Sequence, residues 1–295
     1  MKKKILITGS SGFFGNLFIK SALKNGYHIV DILRHKNLKN KDLIQLRKVY
    51  SKSYKSIFYK EFKDINKKLK NKKFDYFINF ATLYKNSHSN NEIPNFIESN
   101  IIFPSIILDT VIVKVKKIIN LGTMMQHIDG KNYIPQNFYA STKSAFEMIL
   151  GYFVKKKKGI KFYNLKFYES YSEIDKRNKL IPTLYKNFKK NKTTKIVTKN
   201  LELNIVHIND LIKSIYLILN KNIKSGDYCL KNSKNIKIQG LIKSINNKSS
   251  KPLKVKFLSN KPIKPKKSFL KSLPKWKADI TIQKKIEKLF YNGIN

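Results

Sequence analysis

The sequence predicts an α/β protein: a doubly wound parallel sheet followed by a smaller C-terminal α/β domain. Three observations carry that reading. An unbroken apolar run, Ile5-Leu6-Ile7, passes straight into a glycine-rich segment and then into a helical apolar pattern. Apolar runs and helix-period segments alternate through about residue 168, as parallel strands joined by crossover helices require. The remainder is discontinuous: Leu180 to Lys190 reads as a helix, Lys195 to Val197 and Leu203 to Ile208 as short strands, and Leu211 to Leu219 as an apolar helix. The expected division is 1–168 and 169–295, within the 295 residues that suffice for one large domain or two.

The first element ends in Thr8-Gly9-Ser10-Ser11-Gly12-Phe13-Phe14-Gly15, and Leu17-Phe18-Ile19 with Ala22-Leu23 then repeat at helical spacing up to Gly26. A glycine turn between strand and helix lets the backbone approach a pyrophosphate, and the first helical N–H groups point at it. Gly9, Ser11, Gly12, Phe13, Phe14 and Gly15 are therefore candidate cofactor contacts. The spacing is Gly-x-x-Gly-x-x-Gly, which elsewhere in a chain is also an ordinary turn; its strand–turn–helix setting gives it meaning.

The second strand, Tyr27 to Leu33, should end beside the adenosine ribose. An acid there suits NAD, and an Arg accommodates the 2′-phosphate of NADP. Leu33 is followed by Arg34-His35-Lys36, so NADP(H) is favoured over NAD(H) and Arg34 is its candidate contact. Asp31 takes the acidic role instead if the strand ends earlier.

Tyr139-Ala140-Ser141-Thr142-Lys143 opens a helical pattern that continues through Ala145, Phe146, Met148, Ile149 and Phe153. Spacing of four sets Tyr139 and Lys143 on one helix face. A phenol with a pKa of about 10 is a poor proton-transfer group at neutral pH, and a neighbouring ammonium brings it toward the working range. In so lysine-rich a chain, the pair alone is equally a surface tyrosine and lysine.

Charge points elsewhere at first sight. Lys plus Arg number 62 against 18 Asp plus Glu, a net charge of +44 that invites a nucleic-acid reading. The charge is spread along the chain and is nearly all lysine, whereas base readers favour Arg; Arg34, Arg47 and Arg177 are the arginines. A solvated lysine coat is the expectation, with no nucleic-acid partner. Cys229 is the single cysteine, which excludes an intrachain disulfide and a cysteine metal cluster, and no metal site is expected. No stretch approaches the roughly 18 uninterrupted apolar residues of a membrane helix. The apolar run after the basic start, Met1-Lys2-Lys3-Lys4, is too short for a signal peptide. A cytoplasmic protein is expected.

Together, the glycine turn and the Tyr-Lys pair resemble the extended short-chain dehydrogenase/reductase superfamily, the NAD(P)-dependent sugar-nucleotide epimerases, dehydratases and reductases of the NAD-dependent epimerase/dehydratase type. Phe74 to Thr82 is similar to its fourth strand, Asn100 with Pro104 to its Asn-x-x-x-Pro helix, and Ile118 to Thr123 to its fifth strand. Val206-His207-Ile208-Asn209-Asp210 resembles its Val-His-Val-x-Asp segment. Leu273-Pro274-Lys275-Trp276, with Ile280 and Ile282, resembles its closing segment, the glycine replaced. The resemblance implies a Rossmann-type sheet with a small C-terminal substrate-binding lid, from which segments at about 201–220 return to the sheet. It assigns catalysis to Thr123, Tyr139 and Lys143, and cofactor contacts to Glu61, Phe62, Phe80, Ala81 and Asn100, besides Tyr139 and Lys143. It also implies a homodimer through the helices near 93–113 and 139–157.

Within the superfamily, 4,6-dehydratases carry Asp-Glu after the catalytic Thr, where this chain has Met124-Met125, which cannot transfer protons. The segments 120–147 and 165–182 are similar to CDP-abequose synthase-like reductases, which reduce the 4-ketone of a nucleotide-linked deoxysugar with NADPH. Met124, Met125, His127, Glu169 and Lys179 are the candidate substrate contacts. His127 either touches substrate or fills a tyrosine's packing site. Glu169 and Ser172 depart from the usual Asp or Asn and Gly. The usual pyrophosphate-binding Arg aligns with Leu203, for which Lys179 or Lys199 would substitute. The implied activity is NADPH-dependent 4-ketoreduction of a CDP- or dTDP-deoxysugar for surface polysaccharide. An NAD-dependent epimerase and a non-catalytic dinucleotide-binding or RNA-associated protein are the alternatives.

Overall fold

The computed structural model describes residues 3–279 and 281–292; Met1-Lys2 of the basic start, the Lys36 side chain and Ile280 of the closing segment lie outside the described residues. The chain forms two compact units, 1–166 with 219–228, and 167–218 with 229–295.

In the first unit β1 (Lys4–Thr8), α1 (Phe13–Lys24), β2 (His28–Arg34), α2 (Lys41–Val49), β3 (Tyr54–Tyr59), α3 (Phe62–Leu69) and β4 (Tyr76–Asn79) alternate. A helical run follows: α4 (Ile93–Ile97), a π-helical turn (Glu98–Ile102) and α5 (Phe103–Val111). Then come β5 (Lys117–Leu121), α6 (Phe138–Lys156) and β6 (Lys161–Lys166). Further on lie β7 (Glu169–Tyr171), α7 (Leu180–Lys189), β8 (Thr194–Ile196), β9 (Glu202–Leu203), β10 (Ile205–His207), α8 (Ile208–Asn220), β11 (Gly226–Cys229), β12 (Ile236–Lys237), α9 (Ile238–Asn246), β13 (Val255–Phe257) and α10 (Ile282–Asn292).

Seven strands make one sheet in the order β11-β6-β5-β4-β1-β2-β3, and the pairings from β3 through to β6 are parallel. The order reverses between β1 and β4, the crevice in which open α/β sheets bind ligands. Helices cover both faces, which is why β1, β4 and β5 are almost continuously buried. Leu6, Phe77 and Ile118 pack with Ile65, Phe103, Ile107, Leu108, Phe146 and Leu150 in the core.

A chain of buried polar side chains crosses the same sheet. Thr8 Oγ1 donates to Asn79 Oδ1 (2.6 Å), Asn79 Nδ2 to Asn120 Oδ1 (3.0 Å), and Asn120 Nδ2 to Asn164 Oδ1 (3.1 Å). Asn164 Nδ2 then donates to Asp227 Oδ1 (2.7 Å). Each amide satisfies its neighbour, so the row is a registration device along β1, β4, β5, β6 and β11.

By length and composition alone, Asn90–Lys114 is long and apolar enough to cross a membrane, although no 18 consecutive residues are apolar. In the fold, Phe103, Ile107, Leu108 and Val111 from this run pack into the core of the first unit.

The second unit holds three two-stranded sheets, β10 with β7, β12 with β9 and β13 with β8, around a core that includes Leu184, Ile196, Ile205, Leu241, Ile286 and Phe290. The strand added to the large sheet differs from the one expected near 201–220. It is β11, whereas β10 pairs in parallel with β7, Val206 opposite Ser170. The resembling segments meet here: Trp276 Nε1 donates to the Asp210 carbonyl (2.8 Å), and the Asp279 N–H donates to the Asp210 carboxylate (2.9 Å).

Candidate active site

The glycine turn sits at the sheet's reversal point. Gly9 has φ +72°, and a Cβ there would lie 2.5 Å from backbone atoms of Phe80 and Ala81; a Cβ on Gly15 would lie 2.3 Å from the Gly9 carbonyl oxygen. Only glycine permits this closeness and this handedness. The Gly12 N–H donates to the Gly9 carbonyl (3.0 Å), closing the turn. Gly12 then caps α1 without a side-chain hydrogen bond, and no acid occupies the helix's first turn. The positive helix end is thus left to an anion. Ser11 is exposed at the tip, and Phe14 and Phe80 pack at 5.1 Å. The turn, Phe80 and Ala81 form one wall, as a pyrophosphate cradle needs.

Arg34 ends β2, and its guanidinium pairs with Glu98 of the π-helical turn and donates to the Tyr59 hydroxyl (3.3 Å). Arg34, His35, Tyr59, Lys60, Glu61, Phe62 and Glu98 line a cavity of about 520 Å³. Arg34, Glu61 and Phe62, each singled out as a cofactor contact, therefore meet in one pocket. Glu98 is a member that sequence reasoning missed; it stands 36 positions from Phe62 and 64 from Arg34, and only the fold brings them together. Asp31 is the central residue of β2, fully buried, and takes no part in the pocket lining.

Asn100 is also buried, and its amide is committed to the protein. Its Oδ1 accepts from the Leu83 N–H (2.6 Å), while Nδ2 donates to the Leu83 carbonyl (3.0 Å) and to Thr142 Oγ1 (2.9 Å). It clamps the segment after β4 to the turn of α6 that carries Lys143.

Asn137 starts α6 by accepting from the Ala140 N–H (2.9 Å), and Lys155 and Lys156 suit its C-terminal end. Tyr139 is the second residue of α6, packed edge-on against Tyr84 (4.9 Å), and Lys143 is buried one turn further along. Burial lowers the Lys143 ammonium to about 8, opposed by the charge of Glu147. Thr123 follows β5 and caps the short turn Met124–Gln126, its Oγ1 accepting from the Met125 N–H (3.2 Å). Gln126 ties this turn to the helix: its Oε1 accepts from the Thr123 N–H (2.9 Å), and its Nε2 donates to Ser144 Oγ (3.3 Å). Gln126 was not singled out from the sequence, although a Thr followed three residues later by Gln is a capping-box signal. Met124 is buried and Met125 half-buried.

His127, for which the sequence left substrate contact and a packing role open, is buried with both ring nitrogens in hydrogen bonds. Lys166 Nζ donates to Nε2 (2.8 Å), so the neutral ring carries its proton on Nδ1 and gives it to the Asn132 carbonyl (2.9 Å). Burial, followed by the Lys166 charge, holds its pKa low. In the second unit, Glu169 and Lys179 pair with each other (2.7 Å).

The model of the NAD dependent epimerase/dehydratase family matches residues 5–230. Among curated proteins, the chain is 23% identical over 300 residues to a CDP-abequose synthase of Salmonella muenchen, covering 98% of this chain and 97% of that one. It is 26% identical over 227 residues to a CDP-abequose synthase of Yersinia pseudotuberculosis, covering 76% and 75% of the two chains. Among solved structures, a UDP-glucuronic acid 4-epimerase variant from Bacillus cereus, in complex with a fluorinated UDP-sugar and NAD, superposes with a TM-score of 0.80 at 21% identity, covering 97% and 98% of the two chains. A UDP-N-acetylglucosamine 4-epimerase from Methanobrevibacter ruminantium gives 0.79 at 18%, covering 98% of each.

Proposed function

The chain belongs to the NAD dependent epimerase/dehydratase family, and from that premise we propose that it is an NADPH-dependent 4-ketoreductase of a nucleoside-diphosphate deoxysugar, CDP- or dTDP-linked, serving surface polysaccharide. The observation that carries this reading is the set Thr123, Tyr139 and Lys143, built at the end of β5 and on α6 beside an uncapped glycine turn.

The glycine turn and the α1 N-terminus hold the cofactor pyrophosphate, Phe80 and Ala81 wall the groove, and the Arg34 pocket takes the adenosine end. When bound, the nicotinamide supplies the hydride that reduces the carbonyl carbon. Tyr139 gives its phenolic proton to the ketone oxygen, so one hydride and one proton make the alcohol. Lys143, as the ammonium, favours the phenolate left behind and holds the nicotinamide ribose. Thr123 Oγ1 accepts from the Met125 N–H, and its O–H donates to the same substrate oxygen as charge grows there. Met124 and Met125 carry no proton to transfer, which argues against dehydration. Glu169 and Lys179 are proposed substrate contacts. A homodimer is part of the reading, with exposed Met148 and Tyr152 on α6 at its face.

One observation favours a second reading, an NAD-dependent epimerase: Glu98 already neutralises Arg34, and a carboxylate there suits a ribose hydroxyl. The test is turnover of a CDP- or dTDP-4-keto-6-deoxysugar with NADPH, comparing the native chain with Tyr139→Phe. Loss of at least a hundredfold in turnover with cofactor affinity intact is expected; unchanged turnover removes Tyr139 from the mechanism.

A further inference from the structure

Two turns beyond Tyr139, and one beyond Lys143, α6 carries Glu147. Residues 139, 143 and 147 share a helix face, and Glu147 is buried. Its Oε2 receives the Lys166 ammonium of β6 (2.8 Å) and the Tyr133 hydroxyl (3.1 Å). Lys166 has no exposed side-chain surface; it also reaches His127 Nε2 (2.8 Å) and lies 3.9 Å from Asp227 of β11 and 4.6 Å from the Tyr133 ring centre. Among the described residues, Glu147 Oε1 has no hydrogen-bond partner. That oxygen fills the space where a Cβ on Gly122 would stand, 2.8 Å away, with Gln126 Oε1 and Lys166 Cγ each 2.9 Å from the same point. Gly122 directly precedes Thr123. One carboxylate therefore touches the end of β5, the lysine of β6 and the loop at Tyr133, on the helix that bears Tyr139 and Lys143.

A buried ion pair of this kind is poor evidence for stability, since taking both charges out of water offsets their attraction. It calls for another role. We propose that Glu147 is a positioning residue of this site, its carboxylate locked by Lys166 and Tyr133 against Gly122 so as to set a negative charge one helical turn from Lys143 and hold that turn in register with Thr123. The inference rests on the assignment of Lys143 above. The charged and titratable groups around the pair are Tyr139 and Lys143 on α6, Lys166 on β6, Asp227 on β11, and Tyr133 with His127 after β5. Of these, Glu147 is the one whose charge opposes the effect of burial on Lys143.

The experiment is the pH dependence of NADPH and NADH binding, read by nicotinamide fluorescence. In the native protein, affinity is expected to fall as pH rises through about 8, where Lys143 loses its proton. Glu147→Gln is expected to bring that alkaline limit down by about one pH unit, so that cofactor binds about fivefold more weakly at pH 8 and about tenfold more weakly at pH 9. Glu147→Asp should restore most of the difference. Because the Gln variant leaves Lys166 without its main partner, the double variant Glu147→Met with Lys166→Met provides a second route; apolar replacement of a buried ion pair is commonly tolerated. Its limit should fall as well. A limit that stays at its native position in both variants, whatever their melting temperatures, overturns the proposal and leaves Lys143's assignment standing. A limit that persists in Lys143→Ala overturns that assignment and the proposal with it.

Discussion

Ser10 Oγ donates to Asp31 Oδ2 at 2.5 Å, beneath the glycine turn, and the Tyr54 hydroxyl reaches the same oxygen at 2.8 Å. The acid that precedes the end of β2 is thus a fastening between β1's turn, β2 and β3. Burial raises its carboxyl pKa, against the pull of these hydroxyls and of Arg47. A raised value in the folded state means that the fold holds the proton more tightly than the unfolded chain. Asp31 therefore weakens the fold as pH climbs from about 4, the unfolded value, toward its native value. Asp31→Asn keeps an acceptor for both hydroxyls and removes the charge, so its stability relative to the native protein should rise between pH 4 and pH 7 in urea titrations. Asp31→Ala leaves two buried hydroxyls unpaired and should cost about 2–4 kcal/mol. A pH-independent difference for Asp31→Asn contradicts the account.

The amide row across the sheet makes a second prediction. Asn120→Ala removes a donor and an acceptor and strands buried groups on Asn79 and Asn164. Equilibrium denaturation should show a loss of about 2–4 kcal/mol; a loss below about 0.5 kcal/mol would mean that the row carries no registration energy.

Gly9 combines a positive φ with close backbone neighbours. Gly9→Ala should cost about 2–4 kcal/mol, from the left-handed conformation and from overlap that no side-chain rotation relieves. It should also weaken NADPH and NADH equally, because the pyrophosphate is common to both. Gly26→Ala is the control: it carries a similar φ with nothing within 4 Å, so it should show the conformational cost alone and leave cofactor affinity unchanged.

On the proposed reading, cofactor choice rests on the Arg34–Glu98 pair. Glu98→Gln frees the guanidinium and removes a like charge from the path of a 2′-phosphate, so NADPH affinity should rise about tenfold or more while NADH changes little. Arg34→Ala should weaken NADPH more than NADH. Equal effects on both cofactors would place the 2′-position elsewhere.

Much of this was legible in the sequence because it is local. The glycine turn, the Tyr139–Lys143 spacing and the apolar period of each strand or helix all fall within a window shorter than one supersecondary unit. What escaped is held together across strands. Glu98 reaches Arg34 from 64 positions away, the Asn79–Asn120–Asn164 row spans β4 to β6, and the Lys166–Glu147 pair joins a strand to a helix. No period or spacing encodes such contacts. His127 illustrates the same point: its type suggests chemistry, and a lysine 39 residues later settles its protonation. The segment near 201–220 read as the returning strand because a short apolar run carries no label for its partner; β11, only Gly226–Cys229, is shorter than most such runs.

The central claim is tested most directly by titrating the purified protein with NADPH and with NADH, followed by nicotinamide fluorescence, after assaying for cofactor carried through purification. The account predicts that nothing is retained and that NADPH binds more tightly than NADH, as a reductase that exchanges its cofactor each turnover requires. Tightly retained NAD, with no preference for NADPH, would contradict it and identify an enzyme that recycles its cofactor within each turnover.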